Sequence, residues 1–413
     1  MWKNCSFKVL FICFVIVFSM LSIEKIAYGA ENINQITTEK TVPVYDQIDG
    51  KSVIIGQLLT GQTYQVLDED EVNYYLPFGN GTGIVKKEAY IKNVLNEGLI
   101  LPTLWKNSNK VVITKKSTFI FKETAKGSQP IAVINTNIRY PIVKKIGDWY
   151  LVNVAGQSGY IHGSNVYEDT GIPVLMYHHM LEEPEDTPFN TNAMVIKVSS
   201  FELQMNYLKN NGWRTILLDE LEDYLLHKQN LTGKVAVISF DDNYLSQLMY
   251  AYPILKKNNQ KAVSFVIGGK TRSAELPWDP QILQHMGFQQ MRQTTDVFDF
   301  QHHTLLMHLR ERETQIPYLI SKSQDEIEED LVEGKNYIGK IYDDPTRIRY
   351  LAYPFGQYDN ETIEAAKVAG IRLAFTTETG NVKLGDHPYK LKRQGIGPNH
   401  SYVDFIRKIN GFY

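Results

Sequence analysis

Cysteine is almost missing from this sequence: the 413 residues hold two, Cys5 and Cys13, both close to the N-terminus. A mature chain without that segment has no disulfide and no thiol nucleophile, which leaves His, Asp and Glu as its metal ligands. Strong net charge is missing too. The formal charge is -3, so no whole-chain field draws nucleic acid, and no nucleic-acid partner is expected. The apolar run from Val9 to Ile23 falls short of the roughly 20 residues of a membrane span and ends at Glu24 and Lys25. With Lys3 and Lys8 before it and Ala27-Tyr28-Gly29 after it, residues 1–30 read as a secretory signal peptide. The protein is expected to be secreted and extracellular or cell-wall associated, with an uncleaved N-terminal anchor as the lesser alternative.

The length implies two or three domains. From about residue 38 to 168, short alternating segments broken by Gly, Asn and Asp favour small antiparallel β structures. The pattern repeats. VNYYLPFGNGTGIVKKEAYI from Val72 parallels GDWYLVNVAGQSGYIHGSNVY from Gly147, with Tyr75 set against Tyr150, Leu76 against Leu151 and Gly83 against Gly159. The two segments, 38–95 and 110–168, resemble bacterial SH3-like domains, and that resemblance implies two small all-β barrels contacting cell-wall material.

From Gly171 onward, apolar runs of strand length alternate with longer helical stretches. The expected strands are Val174 to Tyr177, Val235 to Phe240, Ala262 to Ile267, Phe298 to Phe300, Tyr350 to Tyr353 and Leu373 to Thr376. VAVISF is apolar throughout apart from one Ser, as a strand covered on both faces would be. An α/β sheet or barrel follows, in residues 171–413.

In α/β barrels the working side chains converge just beyond the strand ends. Here His178 follows VLMY, Asp241 and Asp242 follow VAVISF, His303 and His308 follow the FDF strand, and Pro354-Phe355-Gly356 follows YLAY. Histidines five apart lie about 140° apart around a helix, so His303 and His308 would have to converge from a loop or a helix start. One Asp with two His makes a three-ligand site with an open position, the usual form of catalytic zinc. Adjacent aspartates point in different directions, so one can hold a metal while the other takes a proton.

SFDDNY, QHHTLLMH and YLAYPFGQYDNET resemble the motifs of the polysaccharide deacetylases of carbohydrate esterase family 4, the NodB homology domain. PVLMYHH standing ahead of the aspartates is similar to the circularly permuted branch that deacetylates poly-N-acetylglucosamine. The resemblance spans Ile172 to about Asn399 and implies a distorted (β/α) barrel. It implies Asp242, His303 and His308 as ligands of a divalent metal, zinc by default, with cobalt, nickel or iron able to bind the same set. It makes Asp241 the general base, His178 the general acid and the Phe355 amide a donor to the oxyanion. The substrate implied is an acetylated amino-sugar polysaccharide of cell wall or biofilm, cleaved at its acetamide C–N bond.

Three positions depart from the family pattern. Ala352 stands where many members have an arginine that restrains the base, and Arg393 in LKRQGIG is the candidate to replace it, a surface position being the other reading. His302 stands where a small residue is expected, able to crowd the site or compete for metal. Asn243 replaces a common Gly and suggests a more restricted groove. His179 is assigned a supporting role. His162, His227, His285, His387 and His400 are read as structural or solvated. The alternative function is a catalytically weak wall-binding protein. A glycosidase using Asp241 and Asp242 ranks last, since neighbouring carboxylates at one strand end are poorly placed to straddle a glycosidic bond.

Overall fold

A computed structural model describes residues 33–48, 50–88, 91–96, 109–272 and 275–413. The segment read as a signal peptide, with both cysteines, lies outside these. The N-terminal part is all β and its strand order is duplicated. Ile33–Thr38, the first strand, pairs with Thr63–Gln65 and Ile91–Asn96, just as Val111–Thr114 pairs with Arg139–Pro141 and Val166–Glu168. The remaining strands of both copies form one ten-stranded sheet, joined where Gly56–Leu58 runs antiparallel to Ala132–Ile134. One apolar cluster, including Val44, Leu76, Ile120 and Val152, runs through both copies.

The repeat is real in topology, and Gly83 does answer Gly159, but the pairs set at Tyr75 and Leu76 are off by one residue. Tyr74 pairs with Val85 and Leu76 with Gly83, as Tyr150 pairs with Ile161 and Val152 with Gly159. Tyr74, not Tyr75, therefore occupies the place of Tyr150, and both are buried. A one-residue slip in a strand exchanges its two faces; Tyr75 and Leu151 belong to the outer face.

The C-terminal part is a closed ring of seven parallel strands. These are β1 (Val174–Tyr177), β2 (Lys234–Phe240), β3 (Ala262–Val266), β4 (Phe298–His302), β5 (Tyr350–Ala352), β6 (Leu373–Thr379) and β7 (Leu391–Gly395), in chain order around the barrel. β1 closes the ring by pairing with both β2 and β7. Trp213–Thr215 adds a short strand beside the start of β2. Alternation sorts the side chains. Val235 and Val237 join Val174, Phe265 and Leu391 in one apolar cluster, and Ile238 and Phe240 join Leu175 and Phe298 in another. The first cluster fills the barrel and the second lies between the strands and their helices. β7 was not among the expected strands.

The all-β region docks on the segment just before β2. Arg139 pairs with Asp169 at 3.0 Å and donates to the carbonyls of Leu231 and Gly233, while Asn80 Nδ2 donates to the Tyr224 carbonyl and the Asn80 N–H to Asn230. That is the end of β2 opposite Asp241.

Candidate metal centre

The inward row of β2 runs Val235, Val237, Ser239 and then Asp241, which places the Asp241 carboxylate at the mouth of the barrel. The inward row of β7 runs Leu391 and then Arg393. The two meet there: Arg393 donates from its two terminal nitrogens to the two Asp241 oxygens at 2.7 and 2.8 Å, and its Nε donates to the Thr376 carbonyl at 2.9 Å. Arg393 is fully buried. Burial works to raise the Asp241 pKa, but Arg393 and His303 prevail and hold it below the ordinary carboxylate range. Of the two positions open to Arg393, the structure shows the buried one, beside Asp241.

Asp242 leaves the strand in a left-handed conformation, φ 69°, which turns its carboxylate away from its neighbour's partners. Asp242 Oδ1 lies 3.5 Å from His303 Nε2 and 3.4 Å from His308 Nε2. The ligand atoms of all three residues lie within 4.8 Å of one another. His303 Nδ1 donates to the Ala352 carbonyl at 2.7 Å, a partner that only accepts, so Nε2 carries the free lone pair. Ala352 thus serves the site through its backbone. His308 is pushed down to about 4, by burial first and by His303 second, and its ring is neutral at neutral pH. Burial also works to raise Asp242, yet His303, His178 and His308 hold it low.

The donor set fits a divalent cation. Asp242 Oδ1 is buried without a hydrogen-bond partner, a costly arrangement for a carboxylate oxygen unless something positive faces it. One carboxylate and two imidazoles within a few ångströms form the three-residue set of a metal site with an open position.

The other expected residues surround this point. His178, beyond β1, has Nε2 3.8 Å from Asp241 Oδ2. Phe355 has φ 59°, and its ring packs 4.7 Å from the His308 ring and 4.0 Å beneath the Arg310 guanidinium. His179 is buried apart from the ligands: Nδ1 lies 2.7 Å from the Ser246 hydroxyl and the ring packs on Phe189, Tyr244 and Trp278.

His302 neither crowds the site nor offers a ligand. Its neighbours on β4, Phe298 and Phe300, face the outer apolar layer, and alternation sends His302 the same way while His303 turns inward. His302 Nε2 donates to the Leu331 carbonyl at 3.0 Å, and its Nδ1 accepts from the Thr304 N–H at 2.8 Å. Gly334 on the helix Gln324–Ile338 packs directly against its ring. Asn243, with φ 55°, is buried against Met286 and Met291.

Two residues given no role at the site stand beside it: His285, read as structural or solvated, and Tyr244, the last residue of SFDDNY. His285 Nδ1 donates to the Asp242 carbonyl at 2.7 Å, and Tyr244 stacks 4.9 Å from the His285 ring. Both line a cavity of about 620 Å3 that also touches Asp242 and His308. No spacing marks His285, because the chain reaches it through an irregular loop.

Residues 228–374 match the family model described as polysaccharide deacetylase. The poly-beta-1,6-N-acetyl-D-glucosamine N-deacetylase of Staphylococcus epidermidis is 28% identical over 259 residues, covering 60% of this chain and 86% of its own. Among solved structures, the deacetylase PplD of Streptococcus pyogenes, in complex with acetate, is 27% identical with a TM-score of 0.50, over 58% of this chain and 99% of that one. IcaB from Ammonifex degensii is 26% identical with a TM-score of 0.50, over 59% and 98%.

Proposed function

We propose that this chain, whose C-terminal half is a polysaccharide deacetylase domain, removes acetyl groups from N-acetylglucosamine units of a polysaccharide outside the cell. The observation that carries this reading is the convergence of Asp242, His303 and His308 beside a second carboxylate, Asp241, which Arg393 keeps ionised. The similarity to a poly-N-acetylglucosamine deacetylase supports a polymer of that type as substrate. In the same reading residues 1–30 export the chain, and the N-terminal β copies, as SH3-like modules, hold it near cell-wall material.

Asp242, His303 and His308 would hold the metal, zinc first among the candidates, which when bound supplies Lewis acidity to the amide carbonyl and acidity to a water. Asp241 takes the proton of the attacking water. Arg393 grips both of its oxygens, which fixes the carboxylate in place and keeps it unprotonated until a substrate water needs a base. His178, with Nε2 3.8 Å from Asp241 Oδ2, gives a proton to the departing amine nitrogen; without it the leaving group would be an amide anion. The Phe355 N–H donates to the oxyanion as the carbonyl carbon becomes tetrahedral.

The test is acetate release from β-1,6-linked N-acetylglucosamine oligomers by the parent and by Asp241→Asn. The variant is expected to lose at least about a hundredfold in kcat, the order of a general base's contribution, while binding metal as the parent does. A folded, metal-loaded parent that frees no acetate from any N-acetylated glycan overturns the proposal.

A further inference from the structure

The two β copies share their buried positions but not their outer faces. Tyr74 and Tyr150, Val85 and Ile161, and Val44 and Ile120 are buried in both. On the outer face, register puts Phe121 beside Tyr160 and Trp149 beside His162 in the second copy, where the first has Tyr45 beside Ile84 and Asn73 beside Lys86. Phe119, 50% exposed, extends the row, and Ile146, 38% exposed, flanks Trp149. Ring centroids stand 6.2 Å apart for Phe119 and Phe121, 5.9 Å for Phe121 and Trp149, and 4.9 Å for Trp149 and His162. The first copy forms the same sheet without this cluster, so the fold does not require it. The first copy also exposes apolar side chains, Val53, Ile54, Leu67 and Val72, but none of these is aromatic; what sets the second copy apart is a row of adjoining rings on one face.

Charge separates the copies as well. Residues 109–169 carry eight Lys and Arg against four Asp and Glu, whereas residues 33–96 carry five against eight. Lys144 pairs across the sheet with Leu151, in the row that continues to Tyr160 and Phe121. All of the basic excess thus belongs to the copy that bears the rings.

We propose that the outer face of the second copy binds a strand of carboxylated polysaccharide, with Phe119, Phe121, Trp149 and Tyr160 taking the apolar faces of pyranose rings and Lys144 taking carboxylate groups. Rings beside a cation suit a chain of flat apolar faces and anionic substituents. The choice of a glycan over other anions rests on the polysaccharide reading of the barrel.

The test measures affinity of the secreted full-length chain for four soluble probes: glycan strands of peptidoglycan (carboxylate), teichoic acid (phosphate), neutral poly-N-acetylglucosamine and DNA. The double variant Phe119→Ser, Trp149→Ala and the single variant Lys144→Glu are compared with the parent. The carboxylated strands are expected to bind more tightly than the other three probes, to lose affinity about tenfold in the ring variant, and to show a weaker salt dependence in Lys144→Glu. Calorimetry is expected to show the unfolding transition of the β region retained in both variants, which shows that it folds, and acetate release from a short soluble oligomer is expected to be unchanged. Equal affinity of parent and ring variant, or tighter binding of the neutral polymer, teichoic acid or DNA than of the carboxylated strands, overturns the proposal. A parent that binds carboxylated strands but frees no acetate leaves this proposal standing and removes the catalytic one.

Discussion

Neighbouring residues of the same type have opposite fates at the mouth of this barrel. Asp241 stays in the inward row and meets Arg393, while Asp242 turns back through a positive φ and faces two histidines. Arg393→Met leaves Asp241 as a buried charge without its partner, a change that costs about 3–5 kcal/mol. The variant is also expected to titrate its base at higher pH. The native pKa of Asp241 is depressed, so losing Arg393 moves the acidic limb of the kcat/KM profile upward; an unmoved limb with a normal kcat contradicts the assignment. His179 offers a test independent of catalysis. Its pKa is pushed down to about 4 by burial first and by His285 second, so the folded ring stays neutral while the unfolded ring protonates below roughly 6.5. The unfolded state then binds more protons between these values. Stability is full above that window and falls as pH drops through it, by up to about 1.4 kcal/mol per pH unit from this residue. Denaturant unfolding at pH 5 and pH 7 should show a smaller drop for His179→Phe than for the parent, and equal drops would refute the burial argument.

Elements show where the sequence was legible. β2 and β3 are apolar almost throughout, and both were visible because a strand covered on two faces has little choice of composition. β7 was hidden. Its run of Leu391, Lys392, Arg393 and Gln394 buries an arginine and a glutamine, and only their partners, Asp241 and Asn381, make that tolerable. The outward turn of His302 was legible in principle, since Phe298, Phe300 and His302 share one parity on β4. Alternation separates it from His303 without any structure. In the repeat, adjacent tyrosines at 74 and 75 left the alignment ambiguous by one residue, and cross-strand pairing decided it. Gly159 lies where a Cβ would collide with Ile120, so Gly159→Ala should destabilise the β region by about 1–3 kcal/mol. Calorimetry is expected to show this as a lower unfolding temperature with acetate release per folded molecule unchanged; an unshifted transition would show that the sheet yields easily.

At the scale of the whole molecule, the β region grips the segment before β2 and leaves the opposite end of the barrel to the candidate metal centre. Arg139 is the buried link, joined to Asp169 and to two carbonyls of that segment. Arg139→Ala is expected to lower the unfolding temperature and to separate unfolding of the two parts into distinct calorimetric transitions, whereas one unshifted transition would mean that the link carries no coupling. The proposed reaction depends most on Asp242, His303 and His308 at the mouth. The decisive measurement is acetate release from poly-N-acetylglucosamine oligomers after complete chelation and stepwise return of zinc, for the parent and Asp242→Ala, with bound metal counted at each step. Activity that returns in the parent in proportion to one bound ion per chain, and does not return in Asp242→Ala, is the predicted result. Release that survives chelation, or that persists at the parent's rate without Asp242, would contradict the account.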